Sequence, residues 1–148
     1  NDDVVRRVAA AYDEHLPLLP HAVETVRELG GRWRLAVASS SNRPIIELVL
    51  DHMGVRECFA AVVSSEEVPN GKPAPDVFLA AARELAVDPK DCAAVEDSTN
   101  GIKSAVAAGM RTIAVPNRQF RPDDDVLASA AVVVPSLAEV TPALVASL

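Results

Sequence analysis

The chain has 148 residues, a formal net charge of −7, 49% apolar residues and only 3% aromatic ones. This is room for one domain with a core of Ala, Val and Leu, and the acidic balance argues against nucleic acid as a partner. No stretch approaches the roughly 20 apolar residues of a membrane span, and Cys58 and Cys92 form neither a metal spacing nor a disulfide framework, so a cytoplasmic protein with reduced cysteines and no membrane contact is expected.

The sequence opens Asn1-Asp2-Asp3, without Met. From Asp3 to Leu16, the residues Val4, Val5, Val8, Ala9 and Tyr12 recur at three- and four-residue spacing, which predicts a helix ended by Pro17 and Pro20. A second amphipathic helix is expected from His21 to Leu29, closed by Gly30-Gly31. Trp33 to Ala38 reads as a strand that ends in the polar cluster Ser39-Ser40-Ser41-Asn42. Asn42 and Pro44 then open a helix carrying Ile45, Ile46, Val49 and Leu50 as far as Gly54. Phe59 to Val63 reads as a strand, Ser64 to Pro75 as a polar loop, and Asp76 to Ala86 as a helix with Val77, Leu79, Ala80 and Leu85 inward.

Cys92 to Val95 is a short apolar run of buried-strand type, followed at once by Glu96 and Asp97. Asp97 or Ser98 caps the small-residue helix that closes near Gly109. Arg111 to Val115 is a strand, Pro116 to Asp125 a polar loop, Ala130 to Val134 the last strand, and Leu137 to Leu148 a closing helix. Strands alternating with helices imply an α/β fold of parallel βαβ units, a doubly wound sheet. His15, His21 and His52 share no spacing with another ligand and read as surface or helix-end residues.

Three strand ends carry polar clusters, and in such sheets ligands bind outside the carboxyl ends of the strands. Ser39 to Asn42 offers hydroxyls and helix N-terminal N–H groups, an anion site or an ordinary cap. Lys72 sits in a loop stiffened by Pro73 and Pro75. Glu96 and Asp97 are adjacent hard-oxygen donors of the kind Mg²⁺ takes, although Asp97 also suits a helix cap. Together they form a kit for phosphoryl transfer, which depends on positioning and on neutralising charge.

Val37-Ala38-Ser39-Ser40-Ser41-Asn42, Gly71-Lys72-Pro73-Ala74-Pro75-Asp76 and Val95-Glu96-Asp97-Ser98-Thr99-Asn100-Gly101 resemble three of the four motifs of the haloacid dehalogenase-like hydrolases. The branch resembled holds β-phosphoglucomutase and small phosphatases. The resemblance implies that Ser39 donates to the transferring phosphoryl group and that Lys72 neutralises it. It also implies that Asp97, with Glu96, holds Mg²⁺, and that Ser40, Ser41, Asn42 and Arg43 line the phosphate or substrate pocket. Residues 1–16 would be a remnant of a helical cap and 17–148 the core.

The first motif, a strand ending in Asp-x-Asp that supplies the nucleophile, has no counterpart here. Asp2-Asp3 and Asp123-Asp124-Asp125 follow no apolar run. In the resembled fold that strand lies between those ending at Ser39 and at Glu96, so a gap is expected there, filled by a preceding segment of the same polypeptide. The expected function is a Mg²⁺-dependent phosphatase acting on a small phosphate ester through an aspartyl-phosphate. A sugar-phosphate mutase and a non-catalytic phosphate-binding module are the alternatives. A phosphoacceptor signalling domain is disfavoured, because there the acids precede the lysine.

Overall fold

A computed structural model describes residues 2–14 and 16–148; Asn1 and His15 lie outside the described residues, and with them the reading of His15. Five strands form among the described residues, all in parallel pairs, but in two separate sheets. β1 (Leu35–Ser39) pairs with β2 (Phe59–Ser64), with Val37 opposite Val62 and Ser39 opposite Ser64. β3 (Ala93–Glu96) pairs with β4 (Arg111–Ala114), which in turn pairs with β5 (Val132–Val133). The expected gap is thus present: β1 and β3 are not hydrogen-bonded to each other.

Helices hold the two sheets together on both faces. On one face α4 (Asp76–Leu85) and α5 (Thr99–Ala107) place Val77, Phe78, Ala81 and Ala105 against Val63 of β2 and Ala94 of β3, so one apolar cluster spans both sheets. On the other face α2 (Ala22–Gly30) contributes Val23 and Val26 to a cluster with Ile46 and Leu50 of α3 (Arg43–Met53), and Leu29 to a cluster with Ile113 of β4. Each cluster buries branched apolar side chains at roughly 1.5–3 kcal/mol apiece before entropy is counted. α1 (Asp2–Glu14) lies against α3.

Several expected boundaries move for local reasons. Trp33 lies outside β1 because its N–H is taken by Leu29 O in the turn that ends α2. Residues 116–125 are not all loop: Asp123 precedes α6 (Asp124–Ala128), whose first turn carries Asp124 and Asp125 where the helix dipole favours negative charge. The expected helix from Leu137 to Leu148 is split. Leu137–Glu139 is a 3₁₀ turn, and α7 (Pro142–Ala146) starts afresh with Thr141 as its cap and Pro142 in its first turn. The inward face of α4 is Val77, Phe78, Ala81 and Ala82, while Leu79, Ala80 and Leu85 are half-buried at its flanks.

Candidate active site

Lys72 is held by its loop. Ser104, fully buried on α5, donates its hydroxyl to Ala74 O at 2.6 Å, and at the other end Asp76 Oδ2 accepts from the backbone and side-chain amides of Asn70. The side chain of Lys72 is 9% exposed, as is that of Glu96, and the two form an ion pair. The same ammonium donates to Ala38 O at 3.0 Å and lies 4.7 Å from the ring centre of Phe78. Lys72 therefore ties the carboxyl end of β1 to that of β3 across the space between them.

That space is a cavity of about 740 Å³. Val37, Ala38 and Val95 stand along its strand walls, and Ser39, Ser40, Lys72, Glu96 and Asp97 around its polar end. Ser39 Oγ accepts the N–H of Ser41 at 3.1 Å, which leaves its own proton free to donate. The other residues of that cluster turn to structural tasks. Asn42 caps α3 by accepting from Ile45 N, and Ser41 O accepts from the buried Ser64 hydroxyl at 2.8 Å. Arg43 makes a two-pronged contact with Glu67 and donates to Val62 O at 2.6 Å. Ser41, Asn42 and Arg43 do not line the cavity. The Glu67 carboxylate, hydrogen-bonded first of all by Arg43, is held below its ordinary pKa, and Arg43 is raised by the same bond.

Glu96 ends β3 and folds back over the start of α5. Its Oε2 lies 3.3 Å from Asp97 N and 3.4 Å from Ser98 Oγ, while Ser98, the cap of α5, accepts from Gly101 N at 3.1 Å. This position exists because residue 101 is glycine: a Cβ there would fall 1.8 Å from Glu96 Oε2. Asp97 Oδ2 accepts from Asn117 Nδ2 at 3.2 Å, and Asp97 Oδ1 has no hydrogen-bond partner among the described residues.

No group of three or more His, Cys, Asp and Glu gathers as a metal cage among the described residues. Mg²⁺ does not need one, since it keeps several waters and takes one or two carboxylates. The donor chemistry of Asp97 and Glu96 fits that ion. Because Glu96 is committed to Lys72, Asp97 is the carboxylate with an oxygen to spare.

Five expected site residues thus meet at one cavity: Ser39, Ser40, Lys72, Glu96 and Asp97. Sequence reading missed Gly101 and Asn117. Gly101 ends the Val95–Gly101 motif, but its role needs the back-folded Glu96 to be seen. Asn117 lies 20 residues from Asp97 in a loop, with no local signal. None of the described helices is long and apolar enough to cross a membrane.

Comparison with known proteins gives these features a family. Residues 2–109 match the haloacid dehalogenase-like hydrolases, a hydrolase family. Hexitol phosphatase B of Escherichia coli (strain K12) is 39% identical over 123 residues, covering 81% of this chain and 54% of that protein. Fructose-1-phosphate phosphatase YqaB of the same strain is 40% identical over 113 residues, covering 76% of this chain and 58% of that protein. The crystal structure of CbbY from Rhodobacter sphaeroides in complex with phosphate superposes with a TM-score of 0.86 at 32% identity, covering 97% of this chain and 65% of that one. The chain spans little more than half the length of these two phosphatases. It belongs to the haloacid dehalogenase-like hydrolases.

Proposed function

We propose that this haloacid dehalogenase-like hydrolase supplies the phosphate-holding and Mg²⁺-holding part of a phosphatase for a small phosphorylated metabolite, with a sugar phosphate as the first class to try. One juxtaposition carries the reading. The Lys72 ammonium lies between the end of β1 and the end of β3, on a cavity that Ser39 and Asp97 also line.

The residues divide the work by chemistry. Ser39 donates its free proton to a phosphoryl oxygen. Lys72 neutralises phosphate charge from a rigid loop, and Glu96 keeps that ammonium in place before substrate arrives. Asp97, with Glu96 beside it, would hold Mg²⁺, which when bound neutralises charge on the phosphoryl oxygens. Ser40 flanks the same anion.

Among the described residues, Glu96 and Asp97 are the carboxylates that line the cavity, and both have these other tasks. The nucleophile therefore comes from outside residues 1–148. We place it on an extended segment of the same polypeptide, entering the space between β1 and β3. The length that the two phosphatase relatives have beyond the matched region leaves room for such a segment. Residues 1–16 are then the last part of a helical cap and 17–148 the core. The relatives' names favour hydrolysis over transfer within a sugar phosphate.

The test on this chain is phosphate binding. With Mg²⁺ present, ³¹P NMR titration is expected to show inorganic phosphate bound by the parent and lost in Lys72→Met. Equal affinity in the two would overturn the assignment. A non-catalytic phosphate-binding module is the second reading, favoured because the described carboxylates at the cavity, Glu96 and Asp97, are both engaged in other tasks. It predicts the same binding but no turnover once the space is filled.

A further inference from the structure

Asn117 is bound to Asp97 twice. The β3–β4 pairing continues past the strands: Val115 N donates to Glu96 O at 2.8 Å and Asn117 N to Asp97 O at 3.1 Å. This backbone register brings the Asn117 side chain beside the Asp97 carboxylate, where Nδ2 lies 3.2 Å from Oδ2. The amide orientation follows from the network. Asn117 Oδ1 accepts the N–H of Gln119 at 2.9 Å and of Phe120 at 3.1 Å, so the oxygen must face its own loop and the NH₂ must face Asp97.

We infer that Asn117 is a positioning residue for metal binding, holding the Asp97 carboxylate so that Oδ1 is the oxygen presented to a divalent cation. The inference rests on the proposed reading of Asp97 as a metal ligand. The physical logic is that of outer-shell partners, which fix a ligand's rotamer and one of its lone pairs and whose loss weakens metal affinity by about 10- to 100-fold. Asp97 has no other side-chain hydrogen bond among the described residues, so Asn117 alone does this. One amide thereby serves two ends: its oxygen closes the turn at residues 117–120, and its nitrogen orients the carboxylate.

The probe is Mn²⁺, a paramagnetic stand-in for Mg²⁺, titrated into the ¹⁵N-labelled 148-residue chain. The parent is expected to show broadening centred on Asp97 and Ser98, reversed by excess Mg²⁺. In Asn117→Ala the Mn²⁺ concentration for half-broadening rises about tenfold. Asn117→Ser separates the two roles, because a hydroxyl can still accept the turn N–H groups but cannot reach Asp97. If Ser behaves like Ala while amide shifts elsewhere stay native, Asn117 acts on the carboxylate. If Ser matches the parent, or if Ala does, the positioning role is overturned. If the parent shows no focal broadening at Asp97, the metal reading itself fails, and this inference with it.

Discussion

At its outer edge β2 gives its carbonyls to arginines: Val62 O accepts from Arg43, itself gripped by Glu67, and Phe59 O accepts from Arg56, itself paired with Glu47. Charged side chains of this kind are how edge strands are kept from pairing with other chains. Among the described residues, the inner edges of β1 and β3 have no such guard along their length. Val37, Ala38 and Val95 line the space there, Val95 is 40% exposed, and among the described residues the charge that reaches across is Lys72 at the carboxyl end. One edge is furnished to meet water; the other two are left bare, as the proposed entering strand requires.

Substitutions at the two kinds of edge should differ in size, with the inner clasp costing most. Lys72→Ala leaves the Glu96 carboxylate nearly buried and unpaired, so urea unfolding is expected to show a loss of about 3–5 kcal/mol. Glu96→Gln in the same chain should recover much of it. A loss below about 1 kcal/mol for Lys72→Ala would mean that the pair does not clasp the two sheets. Gly101→Ala drives a methyl into Glu96 Oε2 and is expected to cost about 1–3 kcal/mol, with the amide signals of Glu96 and Asp97 displaced by NMR.

The outer edge should respond less. Arg43 and Glu67 are 43% and 38% exposed, so Arg43→Ala is expected to cost at most about 1 kcal/mol. Its pH dependence has a definite sign. The folded state holds the Glu67 pKa below its ordinary value, so the pair's contribution is full above the unfolded carboxylate pKa of about 4.3 and fades as pH falls through the lower folded value. Parent and Arg43→Ala should converge in stability at acid pH, and a difference that grows there would refute the pairing. Smallest of all is Val95→Lys. If the space is open, the ammonium reaches water and stability stays within about 0.5 kcal/mol; a loss above 2 kcal/mol would show Val95 packed and the space closed.

Much of this architecture was legible in the chain. The alternation of short apolar runs with amphipathic segments gave the parallel α/β fold, and the missing first motif pointed to the break between β1 and β3. Local signals misled in two places. Asp123-Asp124-Asp125 reads as loop by polarity but serves as the charged start of α6, and Leu137 to Leu148 reads as one helix although Thr141 and Pro142 start α7 afresh. At the site, Ser39, Lys72, Glu96 and Asp97 announce themselves by type and position. What lay hidden is pairwise and long-range: Lys72 with Glu96, Gly101 under Glu96, and Asn117 on Asp97 depend on how strands and loops register against one another. Arg43 shows the converse, since its place four residues after Ser39 does not carry it into the cavity.

If the space between β1 and β3 belongs to a strand that brings the nucleophile, the 148-residue chain should be inert on its own. Steady-state hydrolysis of sugar phosphates with Mg²⁺, on material whose intact mass has been verified, is expected to show no turnover above the blank, even though the same sample binds phosphate. Turnover that tracks the chain through purification and vanishes in Lys72→Met would overturn this reading, because residues 1–148 would then hold a complete active site.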